Sequence, residues 1–200
     1  SVFSISTDKV IKPTSMLGIS KKLMEYSMSE IKKKNPKIII SSVRFTNVSF
    51  SKGSILKNIY DKILSNQIVG VPLGVDRYFI THEEAVSLCF KSFLSESNNY
   101  IVQPSEYFTN SPLNIVSLSK KIFNLMKIKQ IKIGKHRNIT FQSKISQGQK
   151  KLEDLTAEEE KYLKFNYDLT ICKTKFCIKN NINTLMKKIE KIENKKQFIK

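Results

Sequence analysis

The 200-residue sequence predicts an α/β fold built around a parallel sheet. Residues 2–6 (VFSIS) form a short β-rich run, residues 14–34 carry apolar side chains at helical spacing, and residues 37–43 (KIIISSV) form a continuous apolar strand. A strand, a helix and a second strand at this separation predict a right-handed βαβ unit. Because ligands bind beyond the carboxyl ends of such strands, we expect residues 6–9 and 44–47 to lie side by side at a site.

The helix between these strands is predicted by a break at each end. Pro13 and Thr14 begin it, and Asn35-Pro36 ends it. Its apolar residues at helical spacing are Met16, Leu17, Leu23, Met24, Met28 and Ile31. After residue 48 the sequence predicts a helix capped by Ser54, a short strand at 78–80, and a helix from a capping box at 81–84 to about residue 94. A strand at 101–102 and a helix at 118–126 follow. The last predicted elements are small strands at 131–133 and 139–141 and an acidic helix at about 150–164.

The net charge of +18 raises the question of a polyanionic partner. Proteins that read phosphates and bases favour arginine, but the 35 basic residues include only Arg44, Arg77 and Arg137. The excess is also spread along the chain, at +6 in each of residues 1–48, 49–167 and 168–200. We therefore expect no nucleic-acid partner, and a basic nucleic-acid-binding protein is the weakest of the alternatives.

The cysteine and histidine content predicts no metal site. Three cysteines occur without zinc-ligand spacing, and there are only two histidines. No apolar run approaches ~18 residues, so we expect no membrane span. No signal peptide opens the chain, and we expect a cytoplasmic protein.

The most informative residues follow the first strand. Ser6-Thr7-Asp8-Lys9 ends the strand, Pro13 follows five residues after the Asp, and Gly18-Ile19-Ser20-Lys21 lies in the next helix. This pattern resembles the extended short-chain dehydrogenase/reductases, and among them the bacterial nucleotide-sugar 4,6-dehydratases of polysaccharide biosynthesis. The further matches, which extend the resemblance over roughly residues 2–155, are RFTNV at 44–48, KGS at 52–54, RYFIT at 77–81 with Glu84-Ala85, and more faintly GQKKL at 148–152.

The resemblance implies the C-terminal half of a Rossmann-type doubly wound parallel sheet plus a smaller α/β substrate-binding domain, truncated at the N-terminus. We accordingly predict three segments. Residues 1–48 would be the remnant of an NAD-binding domain with the catalytic motif. Residues 49–167 would be mainly substrate-binding with returning Rossmann elements, and residues 168–200 a basic helical tail.

An adjacent acid and base suit the removal of water from a sugar, which needs a base for the C5 proton and an acid for the C6 hydroxyl. By resemblance, Asp8 would be the acid, Lys9 the base, and Thr7 a hydrogen-bond partner of the sugar. Lys21 would complete the catalytic set and bind the nicotinamide ribose, and Ser6 and Phe45 would also contact the cofactor, NAD or NADP. The alternative is that Asp8 and Lys9 form only a surface turn pair.

Three later residues are candidates for binding the UDP-sugar. Ser54, after Gly53, opens a helix whose backbone N–H groups suit a diphosphate. Arg77 has the fork for a phosphate oxygen, and Asn47 would bond the sugar or the diphosphate. Each has a plainer alternative, namely a helix cap, a surface ion pair and a turn residue.

The sequence departs from the family pattern in two places. The superfamily has a Tyr four residues before the active-site Lys, whereas this chain has Leu17, preceded by Met16. The proton of the sugar 4-hydroxyl would then go to Asp8, Lys9 or water. In addition, the six glycines form no GxGxxG motif. We therefore expect a fragment of a longer protein that binds NAD poorly on its own.

The function predicted by this resemblance is NAD-dependent dehydration of a UDP-N-acetylhexosamine. The product would be a 4-keto-6-deoxy sugar nucleotide for surface polysaccharide or nonulosonic acid, made by a lyase that is inactive as the isolated fragment and homo-oligomeric at full length. The alternatives are a nucleotide-sugar 4-epimerase of the same superfamily and a non-catalytic remnant.

Overall fold

A computed structural model describes residues 1–94, 100–105, 111–126, 139–142, 148–158, 160–164 and 169–173. The helices and strands of these residues fall into two compact units. In chain order they are β1 (Val2–Thr7), α1 (Met16–Lys34), β2 (Ile40–Phe45), β3 (Asn47–Val48), α2 (Ile55–Leu64), β4 (Val69–Pro72), β5 (Asp76–Arg77), β6 (Phe79–Ile80), α3 (His82–Leu94), β7 (Tyr100–Pro104), β8 (Leu113–Asn114), α4 (Ile115–Leu125), β9 (Ile139–Gln142), β10 (Lys161–Lys164) and β11 (Leu169–Lys173).

Unit 1, which comprises Ser1–Phe45, Val86–Phe108 and Asp154–Lys200, contains the main sheet. Its strand order is β1-β2-β7-β11-β10. The first three strands are parallel, and β11 and β10 add to them antiparallel. The α/β fold with a parallel sheet and the βαβ unit from β1 through α1 to β2 are therefore confirmed. Because the register pairs Thr7 with Phe45, both strands end at the same level.

Helix α1 begins after Ser15, whose Oγ accepts a hydrogen bond from the Gly18 N–H at 3.2 Å. Its buried face differs from the apolar series predicted from the sequence. Leu17 and Ile31 are 53% and 40% exposed, and Met28 is the one member of that series in the buried class. The buried residues of the helix are Gly18, Ile19, Glu25, Met28 and Ser29. The helix therefore packs through small and polar side chains as well as apolar ones.

Unit 2 comprises Thr46–Ala85 and Thr109–Glu153. Its strands form three pairs, β3 with β6, β4 with β9 and β5 with β8. The local signals in this part of the sequence are confirmed. Ser54 caps α2, and Thr81 and Glu84 exchange the two hydrogen bonds of a capping box. The unit has an apolar core made of Leu56, Ile59, Val69, Val71, Val75, Ile115, Ile122 and Phe123.

Two predictions about the second half of the chain are changed by the structure. The acidic helix at 150–164 is wrong, since Lys161–Lys164 is strand β10, paired with β11. The predicted helical tail is wrong at 169–173, which forms β11 against β7. In both places pairing with distant strands determines the local structure. Unit 1 includes Val86–Phe108 and the residues from Asp154 onward, within and after the 49–167 segment for which we expected returning Rossmann elements. The strand at 131–133 and the tail beyond residue 173 lie outside the described residues.

Candidate functional site

The end of β1 turns directly into a short 3-10 helix, Asp8–Val10, and this turn places the predicted acid and base. The Thr7 side chain caps the turn, because its Oγ1 accepts from the Lys9 N–H at 3.5 Å. The same Thr7 hydroxyl donates to Asp8 Oδ1 at 2.9 Å, and Lys9 Nζ lies 3.0 Å from that oxygen. The structure thus brings Thr7, Asp8 and Lys9 together around one carboxylate oxygen.

Asp8 is buried, at 3% exposure, and its second oxygen is the unusual feature of this group. Oδ2 is buried and has no hydrogen-bond partner among the described residues. Buried polar atoms are nearly always hydrogen-bonded, so an orphaned carboxylate oxygen is a candidate for binding a ligand hydroxyl or carrying a proton. The alternative of a surface turn pair is wrong, because the carboxylate is inside the protein while the Lys9 side chain is 25% exposed.

Helix α1 brings Lys21 to the same strand. Lys21 Nζ donates to the backbone oxygen of Ile5, two residues before Thr7 on β1, at 2.9 Å. Gly18 makes this close approach possible, because a Cβ at that position would lie 2.3 Å from the Lys9 carbonyl oxygen. Any side chain at position 18 would force α1 away from the turn that holds Asp8 and Lys9.

The two other residues predicted to contact a cofactor occupy different environments. Phe45 ends β2, is half-buried, and lies opposite Thr7 in the register. Ser6 is 3% exposed, and its hydroxyl donates to Glu25 Oε1 at 2.6 Å. Ser6 thus uses its donor inside the protein, and its contact with a cofactor stays a prediction.

The described residues fit the nicotinamide-ribose end of a dinucleotide but not its pyrophosphate. Lys21 is half-exposed and uses one of its three ammonium hydrogens on Ile5, which leaves donors for a ribose hydroxyl. A pyrophosphate needs open space over a glycine-rich turn at a helix start. Gly18 lies at such a start, but the Lys9 backbone already occupies the space above it.

The residues predicted to bind substrate lie in unit 2. Asn47 uses its side-chain amide to donate to the Tyr78 carbonyl at 3.0 Å. Ser54 Oγ accepts from the Lys57 N–H at 3.3 Å, so its role as a helix cap is confirmed. Gly53 before it has φ of +79°, with open space around its Cα.

Arg77 is 4% exposed, so the alternative of a surface ion pair is wrong. Its guanidinium donates to the carbonyls of Asp76 and Lys151 through Nη1, at 2.7 and 3.0 Å, and to that of Lys150 through Nη2, at 2.9 Å. The side chain therefore ties the 150–151 segment to β5. Its contact with a phosphate stays a prediction.

Sequence reasoning missed a buried ionic cluster next to the site, formed by Glu25, Arg44 and Glu160. Glu25 accepts from Arg44 Nε and Nη2 at 2.9 and 2.8 Å, and Glu160 accepts from Nη1 and Nη2 at 2.7 Å each. These side chains are at most 5% exposed. One signal in the sequence was Glu25 itself, a charged residue in the middle of α1, the helix that follows β1.

Electrostatics in this cluster favour the charged forms. Burial alone would lower the pKa of Arg44, but the charge of Glu25 and the hydrogen bonds to both carboxylates raise it well above its ordinary value. Burial would likewise raise the pKa of Glu160. The hydrogen bonds and charge of Arg44, with Lys22 and the Tyr162 hydroxyl, bring it well below its ordinary value. Both groups are therefore ionised at neutral pH.

Leu17, at the position where the family has a Tyr, lies in the first turn of α1, one turn before Lys21, and is 53% exposed. Within the described ranges, no group of histidine, cysteine, aspartate or glutamate side chains is arranged to hold a metal ion. Among the helices described, none is both long and apolar enough to cross a membrane.

Comparison with known proteins gives matches over most of the chain. Residues 1–175 match the family model described as "Polysaccharide biosynthesis protein". The chain is 32% identical over 160 residues to the capsular polysaccharide biosynthesis protein CapD of Staphylococcus aureus, a match that covers 78% of this chain and 25% of CapD.

Solved structures share the fold at lower identity. Pen from Bacillus thuringiensis matches with a TM-score of 0.74 and 20% identity, over 88% of this chain and 53% of Pen. The dTDP-glucose 4,6-dehydratase of Bacillus anthracis, solved in complex with NAD, matches with a TM-score of 0.59 and 13% identity, over 78% of this chain and 52% of the enzyme. UDP-sugar 4-epimerases are also among the similar structures.

The chain spans about half the length of these structures and a quarter of CapD. The structural matches agree with the α/β fold described above, at identities that show the fold alone. The family match covers both units, including the Thr7-Asp8-Lys9 turn. The chain therefore belongs to the polysaccharide biosynthesis protein family.

Proposed function

We propose that the protein containing this chain is a 4,6-dehydratase that converts a UDP-N-acetylhexosamine to a 4-keto-6-deoxy sugar nucleotide, with NAD or NADP as cofactor. The observation that carries the proposal is the buried Asp8 carboxylate, with one oxygen held by Thr7 and Lys9 and the other without a partner in the part of the chain that the structure describes. Membership of a polysaccharide biosynthesis family and the presence of a nucleotide-sugar dehydratase among the similar structures support it.

Elimination of water from a 4-keto sugar moves two protons. Lys9 in its neutral form takes the C5 proton, the C6–O bond breaks, and protonated Asp8 donates to the departing hydroxyl so that water leaves. When bound, the nicotinamide cofactor supplies the reversible hydride acceptor that begins and ends this sequence. After elimination Lys9 carries the extra proton and Asp8 has lost one. When the hydride is added at C6, Lys9 gives its extra proton back to C5. Asp8 regains a proton from the 4-hydroxyl of the next sugar to be oxidised, directly, through water or through Lys9, whose Nζ lies 3.0 Å from Asp8 Oδ1.

Thr7 and Lys21 act on either side of this pair. The Thr7 hydroxyl holds Oδ1 of Asp8, and we propose that Oδ2 is the oxygen that donates to the departing hydroxyl. The Thr7 hydroxyl is also proposed to bond the sugar. Lys21 is proposed to bind the nicotinamide ribose, with Phe45 and Ser6 as further cofactor contacts. Because Leu17 cannot exchange a proton, the 4-hydroxyl proton is proposed to pass to Asp8, Lys9 or water.

The UDP diphosphate is proposed to bind at the start of α2. The open space at Gly53 and the N-terminus of a ten-residue helix suit a phosphate. Asn47 and Arg77 are proposed as further contacts, and Arg77 also fastens residues 150 and 151.

The test uses the protein expressed from its complete coding sequence. Incubation with UDP-N-acetylglucosamine and NAD should give a new 6-methyl signal in the proton NMR spectrum. Asp8→Asn and Lys9→Ala should each reduce the rate at least about 100-fold, because each removes a general acid or base. Lys33→Ala, which changes an exposed ion pair with Glu30 near the end of α1, is the control and should keep the wild-type rate.

The alternatives give different outcomes in the same experiment. A product epimerised at C4, with its hydroxymethyl group intact, would show that the protein is a 4-epimerase. Absence of any turnover by the wild-type protein, with NAD and UDP-sugar both bound, would identify a non-catalytic remnant. A 6-methyl signal that persists in Asp8→Asn would disprove the assignment of the acid.

A further inference from the structure

Helix α1 is attached to the candidate site at two places, with Lys21 between them. Gly18 packs against the Lys9 carbonyl, and Glu25 bonds both Ser6 on β1 and Arg44 on β2. Positions 18, 21 and 25 share one face of a helix, because they are separated by three and four residues. The rotation of α1 about its axis, and with it the place of Lys21 on β1, is therefore set by these two attachments.

The second attachment, the ion pair between Glu25 and Arg44, depends on the orientation of its side chains. The Arg44 guanidinium is planar and presents its donors in a rigid fork, and Glu25 and Glu160 accept hydrogen bonds from two sides of it. A buried ionic cluster gains little stability over well-packed apolar side chains, because desolvation offsets the attraction. What the cluster provides that apolar packing lacks is a fixed angle between α1 and the ends of two strands.

Glu160 extends this attachment to a distant part of unit 1. Its carboxylate also accepts from the Tyr162 hydroxyl at 2.5 Å, and Lys22 Nζ on α1 lies 3.3 Å from it. Gln103 on β7 adds a weak contact to Arg44 at 3.5 Å and donates to the Leu155 carbonyl at 2.6 Å. Two consecutive residues of α1, Lys21 and Lys22, are therefore held by β1 and by this cluster respectively.

We propose that Glu25, Arg44 and Glu160 are positioning residues that fix Lys21 against β1 for the dehydration reaction. This inference rests on the proposed function for its catalytic meaning. None of the three touches the reacting atoms in the proposed mechanism. They act through α1, by holding the Lys21 Nζ contact with the Ile5 carbonyl.

The reactivity of Lys21 tests the positioning without any need for catalysis. Competitive labelling with trace acetic anhydride, followed by mass spectrometry, gives the acylation rate of each lysine. In Glu25→Gln and Glu160→Gln, loss of the hydrogen bond to Ile5 should raise the Lys21 rate about threefold or more. Lys33, on the same helix, and Lys57, in unit 2, should keep their rates. Glu30→Gln, which changes an exposed ion pair of α1, is the control and should leave Lys21 unchanged.

Other results of the labelling experiment would overturn the inference. An unchanged Lys21 rate in both folded variants would show that the cluster does not position it. Equal increases at Lys21 and Lys33 would show a general loosening of unit 1. Failure of both variants to fold at pH 7, seen by circular dichroism, would show that the cluster is required for the fold.

Steady-state kinetics of the same variants link the position of Lys21 to the reaction. In the full-length enzyme Glu160→Gln should lower kcat about tenfold or more with little change in the KM for the UDP-sugar, because a misplaced group slows chemistry. An unchanged kcat alongside a faster Lys21 label would contradict a role in catalysis. If the wild-type enzyme makes no 6-deoxy product, the proposed function fails, and the labelling result still decides whether the cluster positions Lys21.

Discussion

Glu160→Gln is expected to destabilise unit 1 strongly at neutral pH. The substitution keeps the size of the side chain, so it opens no cavity, but it removes a carboxylate that accepts two hydrogen bonds from Arg44 and one from Tyr162. Removing one partner of a buried ion pair costs ~3–5 kcal/mol. Because Glu25 still holds Arg44, we expect a loss of about 2–4 kcal/mol in the free energy of unfolding.

The difference in the free energy of unfolding between wild type and Glu160→Gln should decrease as the pH falls. The folded-state pKa of Glu160 lies below its ordinary value, so its stabilisation is complete above about pH 4.3, the unfolded carboxyl pKa, and declines as pH falls below it. Below that pH, one such group changes the free energy of unfolding by about 1.4 kcal/mol per pH unit. Between pH 7 and pH 3.5 the gap should therefore narrow by about 1 kcal/mol.

Urea unfolding measures both quantities. The chain contains no Trp, so far-ultraviolet circular dichroism is the appropriate signal, with hydrogen exchange of β1 and β2 to locate the effect in unit 1. Glu30→Gln on α1 is the control and should change stability by less than about 0.5 kcal/mol, since its ion pair is exposed. A gap between wild type and Glu160→Gln that is equal at pH 7 and pH 3.5 would refute the electrostatic explanation.

Three further substitutions, with Leu125→Ala as a control, test the packing and the helix cap around the site residues. Gly18→Ala should lower the free energy of unfolding by about 1–3 kcal/mol, since its Cβ would meet the Lys9 carbonyl at 2.3 Å; a stability equal to wild type in urea would contradict this close approach. Phe123→Ala in the unit 2 core should cost ~3–5 kcal/mol by the same assay, whereas Leu125→Ala, 82% exposed, should cost less than about 0.5 kcal/mol. Ser54→Ala should remove a helix cap worth ~1 kcal/mol, seen as faster hydrogen exchange at the start of α2, and unchanged exchange would argue against the cap.

Local signals predicted the parts of the fold that depend on neighbouring residues. The cap at Ser54, the capping box at Thr81 and Glu84, and the βαβ unit at the start of the chain each depend on a short stretch of sequence, and all are confirmed. The turn from Thr7 to Lys9 is of the same kind, since its contacts join adjacent residues. The candidate acid and base were identified from the family resemblance of Ser6-Thr7-Asp8-Lys9, a motif of four adjacent residues.

Long-range pairing accounts for the errors. The acidic residues near 150–164 favoured a helix, yet Glu160 is a buried partner of Arg44, 116 positions away. Lys161–Lys164 pairs with β11 as a strand. No local pattern reports such a partner.

The buried face of α1 shows which part of the ionic cluster was nevertheless within reach. Gly18, Glu25 and Ser29 are separated by seven and four residues, which places them on one face of a helix, and the structure buries that face. A carboxylate buried on such a face requires a cation, and the strand that follows the helix contains Arg44, only 19 residues from Glu25. A βαβ unit packs its helix against the sheet containing both strands, so the pair with Arg44 follows once Glu25 is placed on the inward face. Leu17 and Ile31, which hydrophobicity favoured for burial, remain exposed because the ionic pair and the glycine contact decide which face of α1 turns inward.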